Sequence, residues 1–89
     1  MTEKREMEER LTEAKGFFDT YKKEIGQSIR EDKRVINVDF QDLSAFSHQL
    51  AEELIGSPEE IIGILETALE ELGLIKNARV RFINIPQTV

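Results

Sequence analysis

VDFQDLSAFSHQLAEELIGSPEE, residues 38–60, changes its hydrophobic period partway and ends in the clearest punctuation of the chain. At its start, Ile36, Val38 and Phe40 alternate with Asn37 and Asp39, and β-branched residues dominate. That pattern predicts a short strand near 34–40 with one buried face. From residue 41 the spacing turns helical, with Leu43, Phe46, Leu50, Ala51, Leu54 and Ile55 as the apolar set. Asp39 or Asp42 suits a first helix cap and Ser47 a second. The expectation is a short helical turn, a kink around Ser47, and a helix to about Ile55. In GSPEE, Gly56 suits a helix end, Ser57 an N-cap and Pro58 the first helical position. Glu60, three residues after Ser57, completes the pattern of a capping box. The helix so started, 58–72, carries Ile61, Leu65, Ala68 and Leu72 on one face, flanked by Ile62, Ile64 and Leu69. Gly73 is its predicted stop, with Leu74 or Ile75 closing over the last turn.

Upstream, Met7, Leu11, Ala14, Phe18, Tyr21, Ile25 and Ile29 follow steps of three and four, one face of a helix over 3–29. Thr2 is its expected N-cap, and Gly16 and Gly26 weaken it, so a break near Gly26 is expected. Phe17 lies beside the stripe and widens it toward a second partner. Fewer than four heptads and two glycines favour one helix packed on its own domain over a coiled coil. Downstream, ARVRFINIP, residues 78–86, predicts a second strand near 79–85, with Val80 and Phe82 alternating with Arg79 and Arg81. Ile83 and Ile85 fall on the opposite face, so the strand should twist or change partner near Asn84, and Pro86 stops it. A strand that meets a proline three residues before Val89 reads, as an expectation, as a chain cut at a domain boundary. The fold class that results is α+β and helix-rich: a bundle of three to four helices with a small sheet that includes both strands, in one domain over 1–89.

Eighty-nine residues bury enough surface for a modest core and leave no room for a large enclosed pocket. With no cysteine, disulfides and thiolate metal sites are excluded, and an intracellular, cytoplasmic location fits. No apolar run reaches membrane-span length, and MTEKREMEER is too charged for a signal peptide. The net charge of −6 is unevenly spread. Residues 1–34 hold nine basic and nine acidic side chains, 35–75 hold nine acidic and none basic, and 76–89 hold three basic and none acidic. The acidic middle repels phosphate, so any nucleic-acid contact must use the flanks.

Several residue types invite chemistry that their spacing does not support. Ser47 and His48 are neighbours and cannot face each other on a helix, so with Asp42 they do not make a triad. One His and no Cys argue against zinc, and Asp39 with Asp42 lacks the spacing of a calcium loop. The Glu52–Glu53, Glu59–Glu60 and Glu70–Glu71 pairs share no cleft that would separate their acidities. No catalytic residue, metal ligand or cofactor site is therefore expected. The basic residues offer more. Lys22, Lys23, Arg30, Lys33 and Arg34 surround the end of the first helix, and Arg79 and Arg81 share one face of the second strand. If the strands are neighbours, these seven can meet a phosphate backbone. The plain alternative is that they pair with Asp19, Glu24, Glu31 and Asp32 nearby.

FFDTYKKEI, then VINVDFQDLSAFSHQLAEELIGSPEEIIGILETAL, then VRFINIP resemble, in order and spacing, the extreme N-terminal domain of the MCM replicative helicases in their archaeal form. The telling pieces are VDFQDL, the following F…LAEEL…PEE, and the closing VRF-N-P strand, and the resemblance covers about residues 17–89. GQSIREDKR, residues 26–34, is short and hydrophilic where that family makes its turn, which leaves the turn open. The resemblance implies a helical subdomain followed by an OB-fold with a zinc-binding insertion and an AAA+ motor, in a hexameric ring around DNA. It implies a regulatory and interaction role without catalysis here, with partners in the rest of the MCM chain and ring, weak DNA contact and other replication factors. The chain would be nucleoid-associated through the parent helicase, and the isolated domain is expected to be a monomer. The chain has no Walker glycine–lysine motif and no zinc cysteines, so no ATP or zinc ligand is carried over. The competing reading is a free-standing acidic helical adaptor for a protein partner.

Overall fold

A computed structural model describes residues 6–23, 26, 30–31 and 34–86. The elements are α1 (Met7–Thr20), β1 (Val35–Asp39), α2 (Phe40–Phe46), α3 (His48–Gly56), α4 (Pro58–Glu71) and β2 (Arg79–Ile83). The helix-rich α+β class is as expected. The two strands pair in parallel, Val35 opposite Arg79 through Asp39 opposite Ile83, with three helices crossing between them.

The alternation in β1 and β2 sorts their side chains by face. Ile36, Val38 and Val80 turn inward onto the core, and Phe82 packs against it. Val35, Asn37, Arg79 and Arg81 face out. α1 packs chiefly on α4, and α3 packs on both α2 and α4. Leu43, Leu50, Leu54, Ile61, Leu65 and Leu69 fill the space between them with almost no exposure.

The chain leaves β1 directly into α2. Asp39 Oδ1 accepts a hydrogen bond from the Gln41 N–H (2.8 Å), so Asp39 is the cap and Asp42 sits in the first turn. The kink at Ser47 is as expected. Its backbone is extended (φ −147°, ψ 104°), and its Oγ accepts from the Leu50 N–H at 3.1 Å. One residue thus ends α2 and starts α3.

Three sequence expectations need correcting. The helix over 3–29 is interrupted: α1 ends at Thr20, and Tyr21 leaves helical dihedrals (φ −103°, ψ 25°). Helical backbone resumes at Lys22 and Lys23, so an interruption falls at Tyr21; Glu24, Ile25 and residues 27–29, which flank the break expected near Gly26, lie outside the described residues. Tertiary packing explains the position, because the Tyr21 ring lies on Phe17 (4.9 Å between centroids) and near Phe46 (6.5 Å). Glu6 occupies the N-cap position of α1, without a side-chain cap; Thr2 lies outside the described residues. The capping box at Ser57 does not form. The Ser57 side chain makes no cap bond, and Glu60 reaches Arg10 instead. Pro58 does open α4, as expected. The second strand ends at Ile83 because Asn84 turns to φ 60° and donates from its amide to Asp39 Oδ2 (3.1 Å).

Gly16, which weakens the helical pattern, has a packing reason. A Cβ there would come within 3.3 Å of the Phe46 ring. Gly73 closes α4 at φ +73°. Its N–H donates to the Glu70 carbonyl (3.0 Å) and the Leu74 N–H to the Leu69 carbonyl (3.1 Å), the paired bonds of a Schellman motif. Gly73→Ala meets open space, so only backbone strain opposes it. We expect a loss of about 1–2 kcal/mol, read as a fall in the thermal midpoint.

Candidate nucleic-acid interface

The seven basic positions separate into two groups. Lys22, Lys23 and Arg30 carry helical backbone, are exposed, and with Gly26 line a depression of about 320 Å³. Arg34, Arg79 and Arg81 gather at the sheet. The Arg79 N–H donates to the Arg34 carbonyl at 2.6 Å, and Arg79 and Arg81 both stand on the outer face. The parallel ladder is what joins the two flanks of the acidic middle, as the neighbouring-strand reading requires. Lys33 lies outside the described residues, as do Glu24 and Asp32 among the proposed acidic partners. Among the described residues, no ion pair neutralises Lys22, Lys23, Arg30, Arg34, Arg79 or Arg81. Exposed cations of this kind meet phosphate oxygens without reading sequence, and their attraction is screened by salt.

The residues around Ser47 hold helices. Ser47 Oγ donates to Glu13 Oε2 (2.8 Å), while His48 is exposed and its Nε2 contacts Glu52 Oε2 at 3.2 Å on the next turn. Ser47 and His48 therefore point at different partners, and Asp42 joins neither of these contacts. Among the described residues, no group of three or more His, Asp or Glu side chains is placed to hold a metal ion. Among the described residues, no helix is long and apolar enough to cross a membrane.

Sequence reasoning missed Arg10. It is buried at 7 % exposure, with Nη1 3.1 Å from Glu60 Oε2 and Nε 3.6 Å from Glu53 Oε1. One guanidinium thereby ties α1 to both α3 and α4. The signal was present: Arg10 lies four residues before Ala14 and seven before Phe17, on the apolar face of α1. Glu66 was also missed. Its Oε2 accepts from the Val80 N–H at 2.9 Å and so fastens α4 to the outer edge of β2.

A search of curated proteins returned no match. A protein-family model, the MCM N-terminal domain, matches residues 4–84. That match runs through the two strands and four helices named above and the segment bearing every basic position. The chain belongs to the MCM N-terminal domain family.

Proposed function

We propose that this domain is a regulatory and interaction subdomain of an archaeal-type MCM replicative DNA helicase, with no catalysis of its own. The family match over residues 4–84 carries the reading. It favours a helicase subdomain over a free-standing acidic adaptor. On this reading ATP hydrolysis and unwinding belong to other parts of an MCM assembly, and the domain's partners are the rest of that chain and ring and other replication factors. Its own contribution to DNA engagement is a weak phosphate contact through the basic flanks, centred on Lys22, Lys23 and Arg30. Those three line one depression and have no carboxylate partner among the described residues.

Fluorescence anisotropy with a labelled single-stranded oligonucleotide tests the contact. Binding should be weak and should fall steeply as salt rises. Lys22→Glu with Lys23→Glu and Arg30→Glu should abolish it with the circular dichroism unchanged. Binding that survives the triple change refutes the contact, and ATPase activity from the purified 89-residue chain refutes the non-catalytic assignment.

A further inference from the structure

A two-stranded parallel sheet is an unusual object to leave half exposed. Parallel strands are ordinarily covered on both faces and continued by neighbours. Here the two free edges are treated differently. In the ladder, Arg79 bonds toward β1, so Val80 and Phe82 turn their backbone groups away from it. The Glu66 carboxylate plugs that edge at the Val80 N–H. β2 also carries arginines and runs into Pro86, the usual guards of an edge strand. On β1 the same geometry turns the backbone groups of Val35, Asn37 and Asp39 outward. No strand pairs with that edge among the described residues. Its sequence, VINVD, contains no lysine, proline or glycine to discourage pairing.

The outer face beside this edge mixes apolar and cationic groups. Val35 is 47 % and Ile83 44 % exposed, and Arg79 and Arg81 stand among them. β-branched side chains next to arginines match a protein surface better than a phosphate track. Among the residues of the two strands the one carboxylate, Asp39, accepts from the Gln41 N–H and the Asn84 amide, and it is outnumbered by Arg79 and Arg81. The charge left to complement is positive.

We infer that the open edge of β1 receives an extended acidic segment of a partner protein as a third strand. The added strand pairs with the outward backbone of Val35 and Asn37 and with the N–H of Asp39, whose carbonyl serves α2 as its N-cap. Strand spacing places it about 10 Å from β2. An arginine and a glutamate extended toward each other span that distance, so Arg79 and Arg81 reach across β1 while Arg34 meets the segment at the end of the strand. Backbone pairing gives the affinity, and the three arginines select for acidic side chains. The inference does not depend on the phosphate contact, which uses Lys22, Lys23 and Arg30.

The test is amide NMR of the 89-residue chain titrated with a blocked peptide of alternating valine and glutamate, against a valine–lysine control. The expected result is slowed amide exchange at Val35, Asn37 and Asp39 with the glutamate peptide only. Arg79→Glu with Arg81→Glu should weaken binding about tenfold and favour the lysine peptide. Asn37→Pro should abolish it, because that N–H lies outside the β1–β2 ladder. Three results overturn the inference. The edge amides could be protected in the free chain at every concentration, so that the chain covers its own edge. Their protection could rise with protein concentration alone, so that a second copy is the occupant. A DNA oligonucleotide could shift Arg79 and Arg81 while neither peptide protects β1, so that the face is a nucleic-acid surface. Should Asn37→Pro unfold the chain, the arginine pair decides.

Discussion

Phe17→Ala should lower the stability of the domain by about 3–5 kcal/mol. Phe17 is 2 % exposed and sits at the centre of an aromatic group, with ring centroids 5.2 Å from Phe18, 4.9 Å from Tyr21 and 5.7 Å from Phe46. It joins α1 to the end of α2 and holds the point where the first helix breaks off. Truncation removes the buried ring and leaves a void that the surrounding side chains fill only in part. A domain of this length has about 4–13 kcal/mol in total, so the change consumes a large share of it. The thermal midpoint should fall by about 12–40 °C, followed by circular dichroism. Phe17→Leu, which keeps most of the volume, should be far milder. A midpoint within a few degrees of the parent for Phe17→Ala would show that this aromatic group does not hold the helices together.

Arg10→Ala should cost about 2–4 kcal/mol. The guanidinium is enclosed and bound to two carboxylates on two different helices, so little of the interaction is screened by salt. Removing it takes the cation from between the carboxylates of Glu53 and Glu60. The Glu60 side chain is 42 % exposed and can turn to water, which keeps the loss below that of a fully buried pair. Arg10→Met should recover part of it, because an unbranched apolar side chain refills much of a buried position. Urea denaturation of the three proteins measures both effects. Equal stability of Arg10→Ala and the parent would mean that the ion pairs contribute nothing net.

Where local chemistry decided the structure, the sequence was readable. Asp39, Ser47 and Gly73 act through bonds to residues two to five positions away, and the strand–kink–helix order from Val35 to Glu71 follows from them. Where a distant partner competed, it was not. Ser57 and Glu60 have the spacing of a reciprocal cap, but Arg10, fifty residues earlier, offers Glu60 a charged partner. Tyr21 ends α1 where its own propensity gives no reason to, because Phe17 and Phe46 hold its ring. The basic positions could be named from the chain alone. Their division into a depression and a sheet face could not, since it depends on β1 lying beside β2 in parallel.

That parallel pairing also sets an order of assembly. The ladder joins Val35 to Arg79 and must close a loop that contains every helix between them. Closing a long loop costs chain entropy before any contact repays it, and contacts remote in sequence slow folding. The contacts of α3 with α2 and with α4 are local and need no such closure. The sheet therefore belongs, with the packing of α1 on α4, to the part of this domain that forms after the local helix pairs, and its two strands report whether the ends of that loop have met.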